Sequence, residues 1–245
     1  MRGYRSLTGA FFRSQLRDPV GFFFLVVFSP ILLVLLSLIL GNVPAPEFGG
    51  SGPIDTMVPG MVAMSVFIVG ATLIPQTQAL LRTSGALTRL RMTPLSPATF
   101  YAADLTVNSV LGMIGPVLTV FLAVVVFGVD APRNVPALIG ALVLGMLAML
   151  ALGYALSRVI PSVGAATGIG NILMIVLVLT SGAFVPVDVL DDATRRLFHF
   201  SPSFHIAQLV SRAWADEPWP WVSVAVLVGM TVVLGAFALF TARRR

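Results

Sequence analysis

The stretch GFFFLVVFSPILLVLLSLIL, Gly21 to Leu40, is twenty residues long and holds no ionisable side chain. At ~1.5 Å rise per residue, a helix of about 20 apolar residues crosses the ~30 Å hydrocarbon layer of a bilayer. The run exceeds the ~7–15 residues of a secretory signal core, so it reads as a retained span despite its arginine-rich lead. Five similar runs follow it, separated by clusters of Pro, Gly and charge. Together they predict helices at about 20–40, 57–78, 104–128, 136–157, 164–185 and 219–241. The expected fold is all-α: one transmembrane domain over residues 1–245, a polytopic bundle of six spans.

Composition agrees with that reading. Hydrophobic residues make up 57% of the 245 positions, charged residues 10%, and the mean hydropathy is +0.97. A soluble domain of this length could not hide so much apolar surface in one core. Cysteine is absent, which removes disulfides, thiolate metal sites and Cys nucleophiles. Lysine is absent as well: all 15 positive charges are arginine. A Walker A lysine and a Schiff-base lysine are thereby excluded, and any nucleotide used by the system binds to another chain. The net charge of +5 is spread over many short loops. It forms no single face for nucleic acid and reads as a topology signal.

Arginines lie unevenly about the predicted spans. Eleven fall on one side, among them Arg2, Arg5, Arg13 and Arg17 before the first span and Arg82, Arg89 and Arg91 after the second. Only Arg133, Arg195, Arg196 and Arg212 fall on the other, where Glu47, Asp55, Asp130, Asp188, Asp191, Asp192, Asp216 and Glu217 also sit. The positive-inside rule puts both termini in the cytoplasm, and an even number of spans agrees with six.

Three segments outside the spans carry pattern. Over residues 1–18, Tyr4, Leu7 and Phe11 recur at helical spacing with Phe12 and Leu16 alongside, while Arg2, Arg5, Arg13 and Arg17 supply a polar side. This predicts an interfacial helix on the inner leaflet, broken by Asp18-Pro19. After the second span, Leu87 and Leu90 lie one turn apart beside Arg89 and Arg91, and Pro94 ends the short helix they predict. Ser96 then stands as N-cap and Pro97 as first residue of a helix running into the third span. The loop between spans five and six opens with Ser181-Gly182-Ala183-Phe184-Val185-Pro186. It predicts a helix capped by Asp188 with Leu190, Leu197 and Phe198 on its apolar side. A second runs from about Phe204 to Trp214, burying Ile206, Leu209, Val210 and Trp214.

Catalytic chemistry is missing. There is no HExxH, GxSxG or GxGxxG in a fitting context, and no carboxylate falls near a predicted midplane, where an ion-coupled carrier would keep its relay. Asp104 falls at the start of the third predicted span and Arg158 at the end of the fourth. The two histidines, His199 and His205, read as packing residues rather than zinc ligands. Gln76, Gln78, Asn108, Asn171, Thr180 and Ser181 are polar groups within spans; they line a substrate path or make interhelical hydrogen bonds.

Four features in order give the chain a family likeness. Arg17-Asp18-Pro19 precedes the first span, which contains Pro30. Pro59-Gly60 opens the second. Leu87-Thr88-Arg89-Leu90-Arg91-Met92-Thr93-Pro94-Leu95-Ser96-Pro97 follows it, and Ser181 to Pro186 leads on to Phe200-Ser201-Pro202-Ser203-Phe204. On a six-span topology with both ends inside, this resembles the type-2 family of ABC exporter permeases, in particular a drug-export subgroup. The acidic stretch that members often carry before the cytoplasmic helix is replaced here by Arg82-Thr83-Ser84-Gly85-Ala86-Leu87.

The resemblance implies a coupling helix seated on an ATPase subunit, drawn from Arg82, Gly85, Leu87, Arg89, Leu90, Arg91 and Met92. It implies a flanking interfacial helix through Leu7, Phe11, Arg13 and Arg17, and a re-entrant hairpin involving Phe184, Pro186, Phe198, Pro202 and Phe204. Two separate ATPase subunits would bind ATP and Mg, with no cofactor in this chain. The permease would pair with itself or a similar subunit in a bacterial inner membrane, among membrane lipids, and export an amphipathic drug-like molecule or lipid. Export of a lipid-linked glycan, and a non-transporting anchor or sensor, are the alternative readings.

Overall fold

The computed structural model describes residues 2–43, 50–86, 92, 96–181, 191 and 196–243. Within them every regular element is a helix, and six are long and apolar enough to cross a membrane: Pro19–Leu40, Pro53–Thr83, Ala98–Val125, Val135–Val159, Val163–Thr180 and Trp221–Thr241. These are called the first to sixth spans. Two further helices flank them, Arg2–Leu16 ahead of the first span and Pro202–Ala215 between the fifth and sixth. The chain is thus a multi-pass membrane protein.

Prolines and polar caps set the helix starts. Asp18 accepts a hydrogen bond from the Gly21 amide at 3.1 Å, with Pro19 as first residue of the first span. Ser96 accepts one from the Thr99 amide at 3.2 Å ahead of Pro97. Asn134 and Ser162 do the same for the fourth and fifth spans. In each case a side-chain oxygen satisfies an amide that has no partner within its own helix. The helix of the third span therefore begins at Pro97, as Ser96-Pro97 predicted, ahead of the apolar run expected from 104, and Asp104 lies two turns inside that helix. The second span starts at Pro53 and runs on to Thr83, past the expected 57–78. Arg82 is consequently part of its last turn, and Gly85, with φ +68°, takes the left-handed conformation that ends it.

The second span is the axis of the bundle. From Ile54 to Ile68 nearly all its side chains are buried, packed by helix Pro202–Ala215, the third and first spans and, less extensively, the fourth and fifth. Apolar surface gains nothing from leaving lipid for a neighbouring helix, so contact here depends on how closely the backbones approach. Glycines permit it. A Cβ on Gly153 would stand 2.7 Å from the Gly70 carbonyl oxygen, one on Gly170 2.8 Å from that of Ala71, and one on Gly70 would overlap the Met149 carbonyl.

These contacts fall on an irregular turn. Residues Val69–Leu73 form a π-helical turn in which the Ile74 amide bonds to Val69. The Gly70 carbonyl thereby loses its ordinary donor, and the next residue along, Pro75, has no N–H to offer. Gly153 packs directly over that oxygen. A similar turn at Phe23–Val27 precedes Pro30 in the first span, and there Gly115 of the third span approaches the Leu25 carbonyl, 2.6 Å from where its Cβ would be. Ser29 donates to the Met61 carbonyl at 2.7 Å and accepts from Thr119 at 3.2 Å, joining spans one, two and three.

Helix Pro202–Ala215 packs into the end of the bundle away from Arg82. Its Ile206 fills the space over Gly145, about 15 Å along the fourth span from Val135. At its other end, the carbonyls of Trp214 and Ala213 accept from the amides of Arg133 and Asn134 at 3.1 and 3.2 Å. The helix slopes from mid-bundle to the surface. Ile206, Leu209, Val210 and Trp214 are all buried, as their spacing predicted. Leu197 does not join them: it is 69% exposed. Asp188 and Leu190 lie outside the described residues.

Overpacking a tight helix contact costs about 1–3 kcal/mol. Gly70→Ala is expected to lower the thermal midpoint of the purified protein clearly. Gly229→Ala, at a position where an added Cβ meets nothing within 4 Å, should leave it unchanged or slightly raised. Size-exclusion profiles after heating give both values, and equal midpoints for the two variants would contradict the close-contact account.

Candidate functional site

Where the second span ends and the third begins, the bundle contains a buried polar knot. Asp104, 3% exposed, accepts from Gln78 Nε2 at 2.7 Å and from the Tyr154 hydroxyl at 2.8 Å through one oxygen. Its other oxygen accepts from Asn108 Nδ2 at 3.0 Å. Asn108, one turn further on, also donates to the Asp104 carbonyl and accepts from Gln15 Nε2 at 2.9 Å. One carboxylate thus gathers the second, third and fourth spans, and through Asn108 the N-terminal helix. Three donors on a buried carboxylate offset the cost of removing it from water.

The N-terminal helix lies across the start of the third span. Tyr4 and Gln15, eleven residues apart, reach Thr106 and Asn108, only two apart, and Phe11 meets Phe100 edge-on with centroids 5.4 Å apart. Leu7 and Phe11 face inward while Phe12, Arg13, Leu16 and Arg17 are exposed. One face packs on the bundle, and exposed apolar and basic groups remain for an interface.

Beside the knot, Arg82 in the last turn of the second span donates to two carbonyls at the end of the fourth. These are Ser157, through Nη1, and Ile160, through Nη2 at 2.8 Å. Those carbonyls are among the last of their helix and have no intrahelical donor, so a guanidinium there also suits the helix dipole. Arg158 turns the other way, donating to the Tyr101 hydroxyl at 2.7 Å with its guanidinium 5.5 Å from the Tyr101 ring centre. Both roots of the connection between spans two and three are therefore fixed to the bundle. Arg82 and Gln78 hold one, and the capped helix from Pro97, carrying Asp104, holds the other.

The remaining predicted site residues are scattered. Gln78 and Asn108 belong to the knot, Gln76 is half-buried, and Asn171 is exposed on the fifth span. Thr180 and Ser181 lie at the other end, where Thr180 bonds to Ser201 at 2.6 Å and Ser203 at 2.8 Å. Within the described residues these six do not line one path through the chain. Phe204 is buried beside Pro202, and Phe198 is half-buried. Met92 is exposed. Leu87, Arg89, Leu90, Arg91, Phe184 and Pro186 lie outside the described residues. Both ring nitrogens of His205 are engaged, with Ser223 and with the His199 carbonyl, each at 2.9 Å.

Sequence reasoning left Asp104, Tyr154, Tyr101 and Gln15 without a role. The available signal was the four-residue spacing of Asp104 and Asn108, which puts them on one face of a helix already known to begin at Pro97.

A buried donor left without its acceptor costs about 1–3 kcal/mol. Asp104→Leu orphans Gln78 and Tyr154 and removes one of the acceptors of Asn108, and is expected to cost about 3 kcal/mol or more, whereas Asp104→Asn retains an acceptor and costs less. Adding Gln78→Leu to Asp104→Leu should restore part of the loss. Thermal midpoints of the four proteins provide the check, and Asp104→Leu as stable as Asp104→Asn would contradict the knot.

Residues 43–240 match the family model described as ABC-2 family transporter protein. No curated protein matches the chain.

Proposed function

Since the chain belongs to the ABC-2 transporter family and is a permease subunit of an ABC transporter, we propose that residues 82–96 receive the push of a separate ATPase subunit. The observation that carries this is the double anchoring of that connection. Arg82 grips the end of the fourth span at Ser157 and Ile160. Gln78 grips Asp104, which in turn holds Tyr154 and Asn108. A connection tied so firmly at its roots moves the second, third and fourth spans together instead of bending by itself. Through Gln15 and Asn108 the N-terminal helix moves with them.

The ATPase sits on the arginine-rich face, which is cytoplasmic by the positive-inside rule. Leu87 and Leu90 are the apolar contacts, with Arg89 and Arg91 beside them. The N-terminal helix lies on the same leaflet, with Arg13 and Arg17 toward lipid headgroups. At the opposite end, helix Pro202–Ala215 together with the segment before it acts as a re-entrant hairpin; the depth of Ile206 supports this. The permease works as a dimer. The fifth span supports that reading, since Ile172, Ile175 and Leu179 are 67%, 60% and 56% exposed. The substrate is an amphipathic small molecule or lipid, exported across a bacterial inner membrane.

Co-purification with an ATPase encoded beside the permease tests the assignment. Leu87→Asp and Leu90→Asp each place a charge in the contact and are expected to weaken the complex about tenfold or more. ATP-dependent export should be lost with it. Arg82→Ala leaves the contact intact, so it should retain the ATPase while losing export. Unchanged complex and export in both Asp variants would remove the coupling assignment.

A further inference from the structure

A groove of about 310 Å³ opens sideways between the third and sixth spans, with the fourth as its floor. It runs from the level of Leu147 to that of Arg158, eleven residues along the fourth span or about 16 Å. Half of a ~30 Å hydrocarbon layer is about 15 Å, so the groove spans one leaflet, the one on the arginine-rich face. Its walls are apolar, with Leu105, Leu147, Ala151 and Leu239 among them. The hydroxyls that reach it are already bonded, Thr231 to the Leu227 carbonyl, Tyr154 to Asp104 and Tyr101 to Arg158.

Arg158 closes the end nearest the membrane surface. Its guanidinium lies over the Tyr101 ring and donates to its hydroxyl, but no carboxylate pairs with it among the described residues. Its Nε is buried without a hydrogen-bond partner there. A buried N–H of a charged group needs an acceptor, and a cation set at the surface end of an apolar slot one leaflet deep selects a particular chemistry. The ligand must carry an acyl chain for the slot and an anionic headgroup for the guanidinium.

We propose that this groove binds an anionic glycerophospholipid of the arginine-rich leaflet, with one acyl chain along Leu105, Leu147 and Leu239 and the phosphate on Arg158. The bound lipid completes the surface between the third and sixth spans, which do not close over the fourth by themselves. The site lies apart from the connection assigned to the ATPase and does not depend on that assignment.

The protein is reconstituted in bilayers of phosphatidylcholine and phosphatidylglycerol in equal parts, then purified and examined by native mass spectrometry for retained lipid. Wild type is expected to keep phosphatidylglycerol in preference to phosphatidylcholine. Arg158→Gln should reduce that preference about fivefold, the usual effect of one arginine at an anionic surface. Gly235→Phe fills the groove at a position where an added Cβ meets nothing within 4 Å, so it should release the retained lipid without changing the elution position of the protein. Arg158→Lys keeps the charge and should keep the preference even if the Gln variant does not fold. Absence of retained lipid in wild type would overturn the proposal, as would unchanged retention in Gly235→Phe, an undiminished preference in a folded Arg158→Gln, or loss of preference in Arg158→Lys. Displacement of the lipid by inorganic phosphate alone would also overturn it, because the acyl chain would then contribute nothing.

Discussion

Helices in a bilayer gain little by hiding apolar side chains from lipid, so this bundle depends on how closely its backbones meet. The second span is the helix around which the others gather, and the decisive contacts are at its π-helical turn. There Gly153 packs over the Gly70 carbonyl and Gly170 over that of Ala71. Pro75 is part of the cause. By offering no N–H it leaves a carbonyl exposed on the helix surface, and only a residue without a side chain can approach that oxygen closely. The first span repeats the device on a smaller scale, with Pro30 beyond its π turn and Gly115 over Leu25.

Such a core is close-packed in the middle and joined by polar bonds at its ends. On the arginine-rich face, Asp104 and Arg82 tie the second, third and fourth spans where the connection between spans two and three emerges. At the opposite face, helix Pro202–Ala215 is tied by its carbonyls to Arg133 and Asn134, and Thr180 is bonded to Ser201 and Ser203. A force applied at one end therefore passes to whole helices, which suits a permease driven by another chain. Asp104 is the one buried carboxylate among the described residues, and three neutral hydrogen-bond donors, not a cation, take the place of water around it.

Much of this was legible in the sequence. Apolar runs gave the six spans because length and lack of charge are all that crossing a bilayer demands. Ser96-Pro97 marked a helix start and Asp18-Pro19 a helix break, since a capping oxygen and a proline act locally; that Asp18 also caps the helix after the break emerged only with the structure. Helix Pro202–Ala215 was readable from the spacing of Ile206, Leu209, Val210 and Trp214. What hydropathy missed was the reach of helices beyond their apolar cores. Counting from 104 left Asp104 as the first residue of an apolar run with no partner, whereas the helix from Pro97 presents it, two turns in, to the second and fourth spans. Counting to 78 put Arg82 in a loop, whereas the second span holds it in its last turn. The polar partners were unreadable for a different reason: Gln15 with Asn108, and Tyr154 with Asp104, are 93 and 50 residues apart and meet only once the helices pack.

The account requires the arginine-rich face to be the one that a cytoplasmic ATPase can touch. The chain has no cysteine, so a single one can be introduced at Met92, which is exposed within the connection, and probed with a membrane-impermeant maleimide. Labelling in inverted vesicles and none in intact cells is the predicted result. Labelling from outside intact cells would put the lever on the wrong side of the membrane and contradict the mechanism.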